Sequence, residues 1–219
     1  MASIFKPRLD ILPPPQQRLW PELRELPEHF ALYGDTAIAL RLGHRVSIDF
    51  DFFGTEPIDP QTLLMALPVL QGAEVSQLEA NSLTCMVDRG GAVQLSFFGV
   101  PRLKRLEPPA IADGHGMKVA SLLDLAATKA SVLQKRAASK DYIDLDALMV
   151  AGVSLASALA AGAALYGSAF NPQVTLKALV YYEDGDLDEV PEAVRERLRA
   201  AVRSVDLDAL PRLERGPEE

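Results

Sequence analysis

Val46-Ser-Ile-Asp49-Phe-Asp51-Phe-Phe53 is the run whose reading decides the fold. Val46, Ile48, Phe50 and Phe52 alternate with Ser47, Asp49, Asp51 and Phe53, which is the period of a half-buried strand. One face of that strand is apolar, and the other carries Asp49 and Asp51 side by side. Carboxylates at i and i+2 on one strand face repel each other unless a cation is at hand. Their oxygens suit a hard divalent ion, Mg²⁺ or Mn²⁺, which binds one or two carboxylates together with substrate phosphates. Taken alone, Asp-Phe-Asp reads first as a solvated strand face, so the flanking sequence has to decide.

Upstream, Ala31-Leu-Tyr33 is short, apolar and ends at Gly34, as a buried strand entering a glycine turn would. Thr36–Leu42 reads as a helix with Thr36 as its cap and Gly43 as its stop. Such a turn brings backbone N–H groups and a helix N-terminus against phosphate oxygens. Further out, Gln16–Phe30 has Leu19, Leu23, Leu26 and Phe30 at helical spacing, limited by Pro21 and Pro27. Pro7, Pro13, Pro14 and Pro15 predict an irregular N-terminal arm.

Downstream, Pro60–Leu70 reads as helical, and Val75–Leu78, Ser82–Val87 and Ala92–Phe98 as strands. Arg89-Gly90-Gly91 is the expected hairpin turn between the last two. From Met117 the pattern turns helical. Ser121-Leu-Leu-Asp124 resembles a capping box and opens a helix to about Arg136. Lys140–Ala151, Ser154–Tyr166, Pro172–Tyr182 and Pro191–Val205 follow as helices. The expected class is α+β: a mixed sheet with helices over 1–116, then a helical domain over 117–219.

Composition narrows the function classes. With 219 residues, 48% apolar and 24% charged, the chain can bury a sizeable core and is ordinary for a globular protein. The longest apolar stretch, Ala156–Leu165, is Ala-rich and broken by Gly162, too short for a membrane span. The opening Met1-Ala-Ser-Ile-Phe-Lys-Pro lacks the h-region of a signal peptide, and the single Cys85 fits a reducing compartment, so the cytoplasm is expected. Cys85 itself reads as a small buried strand residue. A net charge of −8 argues against a surface that grips nucleic acid everywhere. Basic residues crowd Arg102–Arg105 and Lys118–Lys140, however, while acid gathers in Glu183–Glu192 and at the C-terminal end. That segregation accommodates a polyanionic substrate on one face.

Gly34-Asp-Thr-Ala-Ile-Ala-Leu-Arg-Leu-Gly-His-Arg-Val-Ser-Ile-Asp-Phe-Asp-Phe-Phe53 resembles the first motif of the AbiEii/AbiGii toxin family of nucleotidyltransferase-like proteins. Asp124-Leu-Ala-Ala-Thr-Lys129, then Arg136 and Lys140-Asp141-Tyr-Ile-Asp144, resembles its later motifs. The resemblance runs from about Leu19 to Ala151 and implies a polymerase-β-like fold. It implies that Asp49 and Asp51 bind metal, with Lys129 and Asp141 joining them in catalysis. Gly34, Asp35 and Thr36 would form the nucleotide-facing turn, and Arg45 and Ser47 would shape its pocket. Lys129 would reach toward the triphosphate, and Lys140, Asp141 and Asp144 would complete the site from the helical half. Without the resemblance, Lys129 reads as an exposed helix lysine, Lys140/Asp144 as an (i, i+4) surface pair, and Asp141 as a helix N-terminal charge.

Two departures qualify the match. The family turn is usually Gly-Gly or Gly-Ser, whereas here Asp35 follows Gly34, and a carboxylate there would repel a nucleotide. The natural strand for a third carboxylate, Ala92-Val-Gln-Leu-Ser-Phe-Phe98, offers Gln94 and Ser96, neither a general base; Asp88 lies outside it. The resemblance implies a metal-dependent transferase moving NMP from an NTP to an acceptor hydroxyl, with RNA (the tRNA acceptor end) as acceptor. It would be the toxin of a bacterial toxin–antitoxin or phage-defence pair, with a cognate antitoxin protein as partner and no membrane. The alternatives are a catalytically weakened, nucleotide- or partner-binding regulatory module, and a kinase-like transfer of the γ-phosphate.

Overall fold

The structure, a computed structural model, describes residues 3–213. Residues 1–2 of the opening segment and the acidic C-terminal end, 214–219, lie outside the described residues. The chain divides into two compact units, one of residues 3–103 with 108–120 and one of 104–107 with 121–213.

The first unit is built on a mixed eight-stranded sheet. In chain order its strands are β1 (Ile4–Phe5), β2 (Phe30–Tyr33), β3 (Phe50–Gly54), β4 (Glu74–Glu79), β5 (Ser82–Asp88), β6 (Ala92–Gly99), β7 (Ala110–Ala112) and β8 (Lys118–Val119). Across the sheet they run β1-β7-β8-β2-β3-β6-β5-β4. The acid strand β3 is interior, antiparallel to β2 and parallel to β6. Helices α1 (Pro14–Leu19), α2 (Gly34–Leu42) and α3 (Pro60–Ala66) belong to the same unit. Phe50 and Phe52 are buried and stacked, with Phe52 also 5.2 Å from Phe97. Phe53, on the opposite face, packs between Tyr33 at 5.2 Å and Phe98 at 4.9 Å. These aromatics fix the register of β3, because a one-residue slip would turn the buried phenylalanines outward.

The predicted alternation holds only from Phe50 onward. Val46 and Ile48 are 59% and 54% exposed while Ser47 is 5% exposed, the inverse of the expected faces. The physical reason is that residues 44–49 pair with no strand, so pleating does not set their orientation. Helix α2 begins at Gly34 with Tyr33 in the cap position, and Thr36 is buried inside its first turn. Gly43 ends the helix in the left-handed region, φ 67°. Gln16–Phe30 is not one helix: α1 passes into a 3-10 segment, Trp20–Glu25, and Phe30 opens β2. Strand β1 lies in the arm expected to be irregular, β7 in a stretch given no expected element, and β8 extends the sheet past Met117.

The second unit holds α4 (Leu122–Val132), α5 (Ser139–Val150), α6 (Leu155–Tyr166), α7 (Pro172–Ala178) and α8 (Glu192–Ser204). Helix α4 packs on α5 and α6, α5 on α8, and α6 on α7. Ser121 caps α4 by accepting the Asp124 N–H at 3.0 Å, as the capping-box reading requires. The Asp124 carboxylate departs from that motif. It accepts from the Ser121 hydroxyl at 2.6 Å and from the amides of Leu106 at 2.9 Å and Glu107 at 3.2 Å, tying residues 104–107 to this unit. No single helix among the described residues is long and apolar enough to cross a membrane.

Candidate functional site

Strand pairing sets Asp51 in a row across the sheet with Tyr33 of β2, Ser96 of β6 and Thr84 of β5. Asp49 precedes the strand by one residue, and both carboxylates are half-buried. Gly34 closes on Asp51 from the end of β2. Its φ is +70°, and a Cβ there would lie 2.7 Å from Asp51 Oδ2. Glycine is therefore required twice over, for the left-handed backbone and for the space. The strand-to-helix turn and the Asp51 carboxylate thus meet with no side chain between them. Two hard-oxygen groups beside a side-chain-free turn suit a divalent cation and the phosphates it would carry.

The irregular segment 43–49 is held by side chains. Thr36, 1% exposed, hydrogen-bonds the Asp49 carbonyl, and its hydroxyl oxygen lies 2.7 Å from that of Ser47. Thr36 and Ser47, which the resemblance implies for the nucleotide pocket, are both buried and secure the loop through these bonds. Gln16, on α1, donates from Nε2 to the Ile48 carbonyl at 2.9 Å. Arg45 Nη2 pairs with Asp35 Oδ2 at 3.0 Å, both side chains 19% exposed. The repulsion expected from Asp35 is accordingly balanced within the turn itself.

No carboxylate stands beside Asp51 on β6. The residue paired with it there is Ser96, 3% exposed, while Gln94 pairs with Met86. Asp88 accepts the Gly91 N–H at 2.8 Å in the hairpin turn, and the Gly91 and Gly90 amides hold its carboxyl below the usual range. It lies four residues along β5 from Thr84, roughly 13 Å at about 3.3 Å per residue. That distance removes it as a third acid.

In the second unit, Lys129, Asp141 and Asp144 come together in a buried cluster. The Lys129 ammonium lies 2.7 Å from Asp141 Oδ1 and 2.7 Å from Asp144 Oδ2. Arg136 adds a bidentate contact to Asp141, at 2.7 and 2.9 Å. Lys129 is 3% exposed and both aspartates are fully buried, so the exposed-lysine and surface-pair readings do not hold. Lys140 is exposed on the first turn of α5. The N-terminus of that helix is capped by Asp186, which accepts the Ser139 N–H at 2.7 Å and its hydroxyl at 3.0 Å. Gln16 and Asp186 have no signal in the sequence, because each acts on a segment more than thirty residues away.

The profile of the family described as nucleotidyl transferase AbiEii toxin, type IV TA system, matches residues 18–216. A protein of Aquifex aeolicus (strain VF5), described as uncharacterized, is 30% identical over 183 residues, 80% of this chain and 86% of the relative. Among solved structures, MenT4, a nucleotidyltransferase toxin from Mycobacterium tuberculosis H37Rv, superposes with a TM-score of 0.61 at 15% identity, covering 88% of this chain and 83% of its own. A crystal structure from H. pylori, of a protein assigned as a nucleotidyltransferase, gives 0.56 at 17% identity, covering 86% and 90%. At those identities the two structures speak for the fold.

Proposed function

The chain belongs to the AbiEii nucleotidyl transferase toxin family, and from that premise we propose that it transfers a nucleoside monophosphate from an NTP to an acceptor hydroxyl, releasing pyrophosphate. The observation that carries this reading is the meeting of Gly34 and Asp51, where a Cβ would stand 2.7 Å from the carboxylate oxygen. A phosphate seated on the turn is thereby set beside the acid strand. Asp49 and Asp51 would hold Mg²⁺ or Mn²⁺, which when bound orients the triphosphate and offsets the charge developing at the transferring phosphorus. Gly34 and the first turn of α2 supply backbone donors, while Arg45, paired with Asp35, keeps the turn near neutral. Thr36 and Ser47 fix the loop that bears Asp49. In the helical unit, Lys129, Asp141 and Asp144 form the ionic centre of the late motif, and the exposed Lys140 is the phosphate-seeking cation of that motif.

The proposed acceptor is RNA, the tRNA acceptor end in particular, and the proposed setting is the cytoplasm of a bacterium that also makes a cognate antitoxin. Incubation with labelled NTPs, Mg²⁺ and total RNA tests the activity. Label on RNA that disappears with Asp49→Ala plus Asp51→Ala is the expected result; absence of label, or label that survives the double substitution, sinks it. Ser96 beside Asp51 favours one competing reading, a weakened member that binds nucleotide without turnover. Calorimetry with NTP and Mg²⁺ alongside the labelling separates the two.

A further inference from the structure

Gln16 is a buried polar residue, 4% exposed, on a stretch that precedes the family match at 18–216. Its Nε2 donates to the Ile48 carbonyl, one residue before Asp49, while its Oε1 is buried with no hydrogen-bond partner. An unsatisfied buried acceptor is costly, and an apolar side chain of the same shape would avoid it. What the amide achieves is its single bond to the backbone that leads into the acid pair. The arm before it grips the same region. The Arg8 N–H donates to the Leu40 carbonyl at 2.8 Å. The Arg8 guanidinium covers Gly43, where a Cβ would lie 2.6 Å from Nη1, and the Phe5 ring carries the Arg41 guanidinium at 4.9 Å. Leu40, Arg41, Gly43 and Ile48 thus mark out the end of α2 and the unpaired segment up to Asp49.

We propose that the N-terminal arm positions the metal-binding acid, with Gln16 as the positioning residue that fixes the Ile48–Asp49 peptide. The proposal rests on the reading of Asp49 and Asp51 as a cation pair. Residues 44–49 lack strand pairing, so their conformation depends on side-chain anchors, among them Thr36 on Ser47 and the Asp49 carbonyl, Arg45 on Asp35 and Gln16 on the Ile48 carbonyl. With one anchor gone, the segment populates several arrangements. A cation that binds only one of them then shows an affinity reduced by the fraction that remains competent.

The test uses the full chain with Mn²⁺ alone, its free-ion paramagnetic resonance signal reporting binding without turnover. Gln16→Met keeps length and apolar packing and removes both the donor and the unsatisfied oxygen. The expected result is a thermal midpoint within about 3 °C of the parent and Mn²⁺ affinity weakened about three- to tenfold. Transfer assays on the same variant should recover kcat at saturating metal, with KM for the NTP within about twofold of the parent, a split that general loosening of the fold would not give. Arg8→Ala, at an exposed side chain, should shift Mn²⁺ affinity in the same direction by less and serves as the test if Gln16→Met fails to fold. Asp49→Ala with Asp51→Ala is the control for the underlying reading. If that double variant still binds Mn²⁺ like the parent, the cation pair itself falls. If it loses Mn²⁺ while a folded Gln16→Met, or failing that Arg8→Ala, binds as the parent does, the positioning role is overturned and the cation pair stands.

Discussion

Asp141 and Asp144 on α5 are fully buried with one ammonium 2.7 Å from each, whereas Asp49 and Asp51 remain half-buried beside a turn that has no side chain at Gly34. Both pairs sit in segments that match the same family, yet their physics differs. The helical cluster sets its buried carboxylates against the buried Lys129 ammonium and the half-exposed Arg136 guanidinium. Charge taken out of water in that way is tolerated only while every partner is present. The strand pair keeps partial access to solvent, as the proposed cation site requires. The same change, an aspartate replaced, should therefore report on folding in one unit and on chemistry in the other.

The largest effect belongs to the strand. Asp49→Ala with Asp51→Ala should lower transfer at least about 10³-fold, roughly 4 kcal/mol, with far-UV dichroism unchanged. A double variant that unfolds would erase the contrast, since the strand acids would then be structural as well. Next comes the helical cluster. Asp144→Ala leaves Lys129 with Asp141 as its remaining carboxylate in this cluster and should cost about 3 kcal/mol, read as a drop in the urea midpoint. An Asp144→Ala protein as stable as the parent but inactive would break the comparison from the other side and move Asp144 into the chemistry.

Gly34→Ala is a smaller probe of the strand side. It forces a Cβ into the left-handed region at about 1–2 kcal/mol and toward Asp51 Oδ2. Melting temperature should fall by a few degrees while transfer falls more steeply, because the displaced group is the carboxylate itself. Equal losses in both would make Gly34 a turn residue and nothing more.

How much of this the sequence carried follows from the range of the forces involved. β5, β6, their Gly90-Gly91 turn, the Gly43 stop and the Ser121 cap are local, written in periodicity and turn chemistry, and all were legible. The cluster of Lys129, Asp141 and Asp144 was anticipated only as motif members. Their burial depends on α4 and α5 packing, which no spacing rule states. The failures fall on Val46–Asp49, where an alternating pattern met a segment with no partner strand, and on the N-terminal arm, read as irregular because of its prolines. Arg8 and Gln16 act across thirty-two residues each, at Leu40 and Ile48, and nothing in their neighbours announces it.

The smallest expected effect contrasts the two units by pH. In the sheet unit, the Arg89 guanidinium, bonded to Glu22 at 2.6 Å, holds that carboxyl below its ordinary range. Its contribution is present above the unfolded value, about 4.3, and is lost as pH falls through the depressed folded value. In the helical unit, burial pushes the Asp124 carboxyl up, and its bonds from Ser121, Leu106 and Glu107 only partly oppose this. The sign is reversed there: the folded form takes up a proton more readily than the unfolded chain. The contribution is full below about 3.9 and is lost as pH rises through the raised folded value. Denaturant titrations from pH 7 to 3, comparing the parent with Glu22→Gln and with Asp124→Asn, should therefore diverge. Glu22→Gln should remove part of the acid sensitivity, modestly because Glu22 is 38% exposed on its side chain and screened by solvent. Asp124→Asn should instead make the protein more acid-sensitive relative to its own stability at neutral pH, since it deletes a group that gains from protonation. Parallel curves for both variants would mean that neither carboxyl differs between folded and unfolded chain, and the electrostatic contrast between the two units would rest on the Lys129 cluster alone.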